Sequence, residues 1–458
     1  MQAQPYAMSG TSQRRPGCAM VTVGMLAAMS ASPPPPPSPG AACARSSGDA
    51  CPGTLRLHRA DDGALARIRI PGGVLTPSQA DVLGRAAERL GDGELHLTSR
   101  GNVQLRGLAE DAGPRLAELL AGAGLLPSAR HERVRNVVAS PLSGLDGLGD
   151  GDVGPWLTAL DRLVCASEAA TALSGRFLFA LDDGRGDVDA LGADVTLIAR
   201  AGGALLRVGA TDTVLAVPAA EAPRAALLAA EVFLDAARDT GAWRVADLAG
   251  SEAAALPGTV LRRLRRAGTD AVTHRHPRPP EARPPAPGPV PGGRGSTALA
   301  VGVPLGRMSA AQWRLLSGGG GLRLTPWRGA VVTGVPVGRV PGHLASLAAA
   351  GLITGPGSGW AGVGACIGRP GCAKSLADVR AHAAAAVGEP GRLPVYWSGC
   401  ERRCGHPHGE WIDVVAAPGG GHRVSRVHGD RSKVLTAVGD DPAALASAVA
   451  SARGTRTA

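Results

Sequence analysis

The chain is poor in lysine and in aromatic residues. Its 458 residues include two lysines, Lys374 and Lys433, and Phe, Tyr and Trp together make up 3%. Because aromatics are scarce, Leu, Val and Ala must fill the cores, and a hydrophobic content of 44% is sufficient for that. A chain of this length exceeds the usual limit for one core, so two or more domains are expected.

The basic residues lack the pattern of a nucleic-acid surface. The net charge is +10, but no stripe of Lys and Arg with interleaved aromatics occurs, so we expect no nucleic-acid partner. Two interpretations of the arginine excess remain open. It reflects either a GC-rich coding sequence or an anionic ligand, because the planar guanidinium binds carboxylates in a bidentate fork.

Further absences restrict the redox chemistry and the location. No G-x-G-x-x-G motif follows a strand, so we expect no built-in nicotinamide site and instead an external electron donor. No disulfide framework is visible. The apolar stretch 18–32 is too short to span a bilayer, so we expect no membrane contact. With the polyproline run Pro33–Pro37, residues 1–50 are predicted to be a disordered extension.

Four cysteines near the C-terminus carry the strongest chemical signal. They form a C-x5-C and a C-x3-C pair, Cys366 with Cys372 and Cys400 with Cys404. Four thiolates suit an iron–sulfur cluster or a thiophilic metal. The five-residue gap argues against zinc, whose structural sites usually close through shorter loops at both ends. The pattern favours a 4Fe–4S cluster, and clustered thiolates that hold iron indicate a cytoplasmic protein.

The chain contains an internal duplication. A proline-rich segment, predicted as a linker over 269–296, divides it into two halves. Three blocks recur in the same order on both sides of it. These blocks are 73–79 with 306–312, 95–108 with 322–335, and 116–126 with 344–353.

Each half is predicted to be α+β. The order strand, helix, two strands and helix opens each half, with Thr76 as the N-cap of the first helix. A second module follows, with a helix, three strands and a closing helix. The predicted elements of the first repeat are strands 65–70, 94–99 and 102–107 and helices from 77 and over 113–122. Those of the modules are helices 155–169, 222–238, 374–387 and 442–453 and strands 176–181, 193–199, 204–209, 393–398, 411–416 and 422–427.

Several motifs resemble the superfamily of sulfite and nitrite reductases that carry sirohaem and a 4Fe–4S cluster. Besides the cysteines, they are Arg69-Ile-Pro-Gly-Gly73 and the stretches 97–104 and 135–141. Within this superfamily, the stretches 51–53, 324–329 and 398–407 resemble the precorrin-3B synthase family. The resemblance covers about residues 51–456.

The resemblance implies an internally duplicated sulfite/nitrite reductase-like fold. Two ferredoxin-like half-domains would pair into one central sheet, flanked by two α/β modules, with the active site where the parts meet. The expected domains are half-domains over 51–145 and 297–360, a module over 146–268 and a cluster-binding module over 361–458. Since the duplication already supplies a pseudo-dimer, we expect a monomer.

The resemblance also implies a tetrapyrrole site. A Lys-x-Lys pair of the reductases is replaced here by Arg176 and Leu178, which disfavours reduction of a small oxyanion and favours the synthase. Asp182 is a candidate acid or base, although a turn explains Asp-Asp-Gly equally well. The residues expected to bind substrate carboxylates or to support them are Arg69, Arg100, Arg135, Asn136, Arg176, Arg369 and Lys374.

The implied reaction is an O2-dependent monooxygenation of precorrin-3A to precorrin-3B, by hydroxylation and lactone formation, in cobalamin biosynthesis. The cluster would relay electrons, and a mononuclear non-haem iron would activate oxygen. His406, His408 and Glu410 are candidate ligands of that iron, or else loop residues against the cluster. The alternative function is an assimilatory sulfite or nitrite reductase with bound sirohaem. A non-catalytic iron–sulfur or tetrapyrrole-binding protein is a third class.

Overall fold

The computed structural model describes residues 51–279, 282–292, 296–407 and 409–454. The extension predicted over 1–50 therefore lies outside the described residues. Within the described ranges the strands form four sheets, and none of the helices there is long and apolar enough to cross a membrane.

The first half contains a half-domain followed by an α/β module. The half-domain consists of β1 (His58–Ala60), β2 (Gly63–Ile68), β3 (Val74–Leu75), α1 (Pro77–Leu90), β4 (Glu94–Leu97), β5 (Val103–Leu108) and α2 (Gly113–Gly122). The module consists of β6 (Val137–Ala139), α3 (Gly154–Ala166), β7 (Phe179–Asp182), β8 (Val195–Arg200), β9 (Gly203–Val208), β10 (Thr213–Pro218), α4 (Ala222–Ala237), α5 (Gly250–Arg266) and β11 (Val272–Arg275).

The second half repeats this order. Its half-domain consists of β12 (Gly288–Val290), β13 (Ser296–Gly302), β14 (Arg307–Ser309), α6 (Ala310–Ser317), β15 (Gly321–Leu324), β16 (Gly329–Pro336) and α7 (Val340–Ala349). Its module consists of β17 (Val363–Ala365), α8 (Val379–Ala385), β18 (Val395–Ser398), β19 (Glu410–Ala416), β20 (His422–His428), β21 (Arg431–Val438) and α9 (Pro442–Arg453).

The two half-domains exchange one strand each. The sheet orders are β1-β2-β5-β4-β14 and β12-β13-β16-β15-β3, so each sheet ends on a strand from the other half. This corrects the expectation of one central sheet. Gly73 permits the exchange, because its φ is +70° and a Cβ there would lie 2.0 Å from the carbonyl oxygen of Leu324. Short edge strands reached through a turn carry little sequence signal, which explains why the exchange was not predicted.

Capping and packing join the halves. The predicted N-cap Thr76 is confirmed: its side chain accepts from the Gln79 amide in a capping box, and Ser309 with Gln312 repeats that box. The helices α1 and α6 pack together, and the buried Trp313 indole donates to the Ala80 carbonyl at 2.7 Å. One hydrophobic cluster accordingly includes residues of both half-domains.

The modules share one topology. In the first, the strands follow the order β6-β7-β8-β9-β10-β11, and in the second β17-β18-β19-β20-β21. In each, the first three strands are parallel and the rest antiparallel. The α+β duplicated fold is thus confirmed. The proline-rich segment differs from its prediction, because its described residues include β11 and β12.

Two helices also differ from the sequence-based expectation. The helix predicted over 374–387 is shorter, because Asp378 caps its N-terminus by accepting from the Ala381 amide. The helix α5 was missed, since Pro257 lies inside it and proline usually argues against a helix interior.

Candidate functional site

The cysteines lie where the parallel strands of the second module end. Cys366 follows β17 directly, and its amide donates to the Trp397 carbonyl of β18 at 2.9 Å. Cys400 comes two residues after β18. Carboxyl ends of parallel strands meet at one edge of a sheet, which is the usual place for a site in such folds. The sheet therefore brings the two sequence-distant cysteine pairs together.

The surroundings of Cys366 suit a metal-bound sulfur. The Gly399 amide lies 3.2 Å from its Sγ and donates to it. Burial raises the pKa of the Cys366 thiol, while the Gly399 and Gly368 amides act in the opposite direction and the charges of Cys400 and Cys404 add to the increase. A thiolate there would be stabilised by the amide hydrogen bonds and by bound metal.

The four cysteine sulfurs do not form a ready-made tetrahedral site for one ion. All four cysteines belong to the described residues, and no three of their sulfurs lie within 4.8 Å of one another. A tetrahedral zinc with Zn–S bonds of 2.3 Å would need them about 3.8 Å apart. Four thiols are the donor set of an iron–sulfur group, and Cys366, Cys372, Cys400 and Cys404 are the residues that could hold one.

A polar face of the first sheet runs toward the cysteines. In the strand register, Arg67 of β2 lies opposite Gln104 of β5, Gln104 opposite His96 of β4, and His96 opposite Arg307 of β14. Side chains at paired positions point to the same face. The row therefore crosses four strands with three basic residues and one amide.

One end of this face meets the first module. The Arg69 guanidinium donates to the carbonyls of Arg133 and Gly175, and Arg100 Nη1 lies 3.4 Å from the same Gly175 oxygen. Burial, followed by the charge of Arg244, lowers the pKa of Arg100 to about 10. The predicted pair Arg69 and Arg100 is brought together here.

The other end of the face meets the cysteine loops. Arg106 pairs with Asp62 through two hydrogen bonds of 2.7 and 2.8 Å and also donates to the Gly371 carbonyl. Arg380 of α8 donates to the carbonyl of Cys366 at 3.1 Å. Burial, with Arg307 next, lowers the pKa of Arg380 to about 10. The face thus extends from the first module to the first cysteine.

Three buried nitrogen atoms on or beside this face have no hydrogen-bond partner among the described residues. They are Arg67 Nε, His96 Nε2 and Arg380 Nη1. Burial, followed by the charge of Arg380, lowers the pKa of His96 to about 3. Buried polar atoms are rarely left unpaired in folded proteins, and clustered cations are costly without counter-charges. An anionic ligand with several acceptors would satisfy both requirements.

The other residues that were expected to bind substrate make contacts with the protein itself. Arg176 is exposed and stacks over the Trp243 ring at 4.5 Å. Asn136 is buried and links the Phe177 carbonyl to Asn102. Arg135 is occupied by a bidentate pair with Asp161 and by the Leu125 carbonyl.

The two basic residues beside the first cysteine pair lie on the loop surface. Arg369 Nε donates to the Ser375 carbonyl at 2.8 Å, and Lys374 is exposed. Substrate contact by these residues, and by Arg135 and Arg176, stays a prediction.

The predicted catalytic residues are dispersed. The exposed His406 stacks on Trp411 with ring centroids 5.4 Å apart, and Glu410 is paired with Arg426. His408 lies outside the described residues. Asp182 is fully buried, and its carboxylate accepts four backbone amides, those of residues 184, 186, 188 and 189. These bonds organise a loop in the first module, and the acid–base role stays a prediction.

Sequence reasoning missed Arg67, His96, Arg106 and Arg380. Arg67 had a local signal, since it lies two residues before Arg69, which directly follows β2, and side chains two residues apart in an extended segment point to the same face. The others come from strands and a helix that are far apart in sequence. Only the assembled sheet and module show that they surround one space.

A large cavity of about 710 Å³ lies in the second half. Its wall includes Ala300, Gly302, Trp327, Val331 and Tyr396. The Tyr396 hydroxyl donates to the Cys404 carbonyl at 2.6 Å. This cavity, which lies between the second half-domain and the second module, therefore borders the second cysteine pair.

Comparison with known proteins agrees with these observations. Residues 57–123 match the family described as nitrite/sulfite reductase ferredoxin-like half domain. The chain is 28% identical to a precorrin-3B synthase from Sinorhizobium sp over 393 residues, which cover 81% of each protein. It is 35% identical to a ferredoxin–nitrite reductase from Synechococcus elongatus over 127 residues, about a quarter of each.

A solved structure shows the same fold. The NirA protein of Mycobacterium tuberculosis superposes with a TM-score of 0.63 at 20% identity, covering 82% of this chain and 78% of that one. The resemblance inferred from the motifs is thereby confirmed: the chain carries a ferredoxin-like half domain of the nitrite and sulfite reductases and, over most of its length, is similar to precorrin-3B synthase.

Proposed function

We propose that this protein is a precorrin-3B synthase, an iron–sulfur monooxygenase acting in the cytosol as a step of cobalamin biosynthesis. The observation that carries the proposal is the buried basic face with unpaired nitrogens at Arg67, His96 and Arg380, beside a four-cysteine site. The similarity to precorrin-3B synthase extends over both halves, whereas the similarity to the Synechococcus nitrite reductase covers about a quarter of the chain.

The face suits a flat ligand that carries many carboxylates. Precorrin-3A bears acetate and propionate groups around its ring, and arginine forks bind carboxylates through paired hydrogen bonds. We place these groups against Arg67 and Arg100 at one end and against Arg380 at the other. Burial strengthens each such contact because water no longer competes for it.

The cysteines would hold a 4Fe–4S cluster that supplies electrons when bound. The proposed reaction inserts one atom of O2 into precorrin-3A, while the other atom leaves as water with two electrons and two protons. An external donor provides the electrons. The chain's own residues bind the ring, fix its orientation by its carboxylates and limit the access of water at the buried face.

Product analysis tests the proposal. Protein isolated without oxygen is supplied with precorrin-3A, a chemical reductant and isotopically labelled O2. We expect a product heavier than the substrate by one labelled oxygen atom, and a visible spectrum with only a broad cluster shoulder. A Soret band from bound sirohaem, together with reduction of sulfite or nitrite, would show that the protein is a reductase instead.

A further inference from the structure

The cavity of about 710 Å³ between the second half-domain and the second module has no part in the proposed function. Its volume lies in the range of about 300–1,000 Å³ that is usual for small-molecule sites. Apolar and aromatic side chains line most of the wall, among them Ala300, Val331, Ile353, Trp327, Trp360 and Tyr396. Ala300 and Val331 occupy the rung that Arg67 and Gln104 hold in the first half. A ligand with many carboxylates would therefore lack partners here, whereas the wall suits a flat aromatic ring.

Arg328 lies in the wall of this cavity at a strained backbone position. Its φ is +57°, and the equivalent residue of the first half is Gly101, with a φ of +64°. Glycine adopts this conformation readily, whereas residues with a side chain rarely do. The Arg328 stem lies against Gly306, where a Cβ would be 2.6 Å from Arg328 Cδ, and Arg328 Nη2 is 3.6 Å from the Cβ position of Gly405. The left-handed backbone thus directs the guanidinium toward the loop of Cys404, and such strain is typical of residues that hold ligands.

The Arg328 guanidinium has no hydrogen bond or ion pair within the described part of the chain, although its backbone amide donates to the Thr325 carbonyl. Two other polar side chains of the wall are occupied. Arg453 donates to backbone carbonyls of the second module, and the Tyr396 hydroxyl donates to the carbonyl of Cys404. Since Arg328 is half-buried, water competes less for its donors than at the surface. The cavity therefore offers this guanidinium to an anionic group of a ligand.

We propose that the cavity binds a planar aromatic ring that carries one anionic group, as flavin mononucleotide does. The ring would pack against Trp327 and Trp360, and the phosphate would accept from the Arg328 fork. Because Gly405 belongs to the wall and directly follows Cys404, a ring bound here would lie beside the second cysteine pair. This position favours a redox-active ring such as a flavin over other aromatic anions. Binding does not depend on the proposed function, but the preference for a redox-active ring rests on it.

A comparison of two flavins tests the site. Flavin mononucleotide and riboflavin share one ring, and only the first carries a phosphate. Stacking on an indole quenches flavin fluorescence, so titration of the anaerobically isolated protein measures both affinities. We expect one flavin mononucleotide per chain, bound at least about tenfold more tightly than riboflavin, because only its phosphate can pair with Arg328.

Two variants separate the ring from the phosphate. In Arg328→Gln the preference for flavin mononucleotide should disappear, while riboflavin should bind as before, which also shows that the cavity is intact. Trp360→Leu should weaken both flavins by about tenfold, because stacking on the indole is lost. Circular dichroism verifies that both variants are folded.

Two controls test whether the flavin binds in this cavity. Arg339→Gln removes an exposed positive charge from the same half-domain and should keep the preference. Saturation with an octacarboxylate porphyrin should leave flavin binding unchanged, since we expect the porphyrin at the first-half face. The proposal would be overturned if the unaltered protein bound no flavin mononucleotide, if it bound both flavins equally, if the preference survived in Arg328→Gln, or if the porphyrin displaced the flavin. None of these measurements uses precorrin or O2, so a failure of the proposed function would be recognised separately.

Discussion

The two half-domains share a topology but differ in the polarity of the side chains at equivalent positions of their sheets. From the strand registers, Arg67 corresponds to Ala300 and Gln104 to Val331, because the pairs Arg67–Gln104 and Ala300–Val331 occupy the same rungs of the two sheets. In the second half, Ala300 and Val331 belong to a buried apolar cluster. At this rung the first half carries a guanidinium and an amide where the second carries two apolar side chains. Arg323, the counterpart of His96, lies opposite Val331 and donates to the carbonyls of Pro141 and Ser143.

The difference continues in the loops that follow the paired strands. In the first half, Arg100 comes two residues after Thr98. In the second half, Trp327 comes two residues after Thr325, the residue that corresponds to Thr98. Trp327 packs against the first module, whereas Arg100 contacts the Gly175 carbonyl of that module. One copy thus has guanidinium groups at these positions, and the other has apolar side chains that also form part of the wall of the 710 Å³ cavity.

The two modules diverge in the same way. Ser140 follows β6 and donates its amide to the Leu181 carbonyl of the next strand, as Cys366 does toward Trp397 after β17. By these registers Ser140 stands where the second module has Cys366, and Asp182 stands where it has Ser398, two residues before Cys400. The aspartates are satisfied within the loop, by backbone amides at Asp182 and by the Ser140 hydroxyl at Asp187. The four cysteines are not joined in disulfides within the part of the chain that the structure describes.

The largest expected effect concerns the strand ends that carry cysteine. We expect Cys366→Ser, Cys372→Ser, Cys400→Ser and Cys404→Ser each to abolish the cluster and the activity, because every iron corner needs a thiolate. Iron and sulfide analysis checks this. Cys165→Ser, in α3 of the other module, is the control and should keep a full cluster. A full cluster in two or more of the four variants would refute the assignment.

The next largest effect is expected when arginines of the first half-domain face are replaced by an apolar residue, which makes that face resemble the second. We expect Arg67→Leu and Arg100→Leu each to weaken binding of an octacarboxylate porphyrin by about ten- to hundredfold, since a charge-assisted hydrogen bond contributes about 1.5–3 kcal/mol. Fluorescence titration measures the affinity. A lysine at either site should restore part of it.

The control for these variants removes one positive charge, as each of them does, but at a position away from the face. Arg59 belongs to the same half-domain, is exposed and pairs with Glu110. Arg59→Leu should leave porphyrin affinity nearly unchanged. An equal loss in this variant would mean that diffuse positive charge, rather than the buried face, attracts the ligand.

A smaller effect tests the loop of the first module. In Asp182→Asn, an amide would face backbone N–H groups that now donate to a carboxylate, so we expect the free energy of unfolding to fall by about 2–4 kcal/mol. Denaturant unfolding followed by fluorescence measures this, and the cluster content should stay unchanged. If activity disappeared while the unfolding midpoint stayed constant, Asp182 would be an acid or base after all.

The smallest effect is a pH dependence in the same loop. Burial, with the charge of Asp182 next, raises the pKa of Asp187 to about 7. The folded protein then keeps this proton up to about pH 7, while the unfolded chain loses it near pH 4. Stability from this group therefore declines as pH rises between these values, by at most about 1.4 kcal/mol per unit. Asp187→Asn, which retains an acceptor for Ser140, should flatten the decline in thermal unfolding scans. An unaltered slope would contradict the assignment.

The sequence predicted what is local or repeated. The N-cap Thr76 follows from a single tetrapeptide, and the duplication from recurring blocks, so both could be predicted. The exchange of β3 and β14 could not, because two- and three-residue strands have too few side chains to show a period. The same limit applies to β12, which lies in a proline-rich stretch.

The residues of the candidate site likewise include some that the local sequence predicts and some that it does not. Cys366 and Cys400 could be predicted because thiolate spacing is a chemical constraint visible in one dimension. His96 and Arg380 could not, since their proximity depends on two elements that are nearly 300 residues apart in sequence and face each other in the fold. Arg135 shows the converse: a matching motif does not reveal that Asp161 occupies the guanidinium.

The central claim is that the anionic tetrapyrrole binds at the first-half face and not at the equivalent apolar positions. Equilibrium titration of the unaltered protein with the octacarboxylate porphyrin, followed by the double variant Arg67→Leu/Arg100→Leu, tests it most directly. The account predicts one porphyrin per chain, with binding reduced far more in the double variant than in either single one. Two porphyrins per chain, or one that binds the double variant with undiminished affinity, would contradict it.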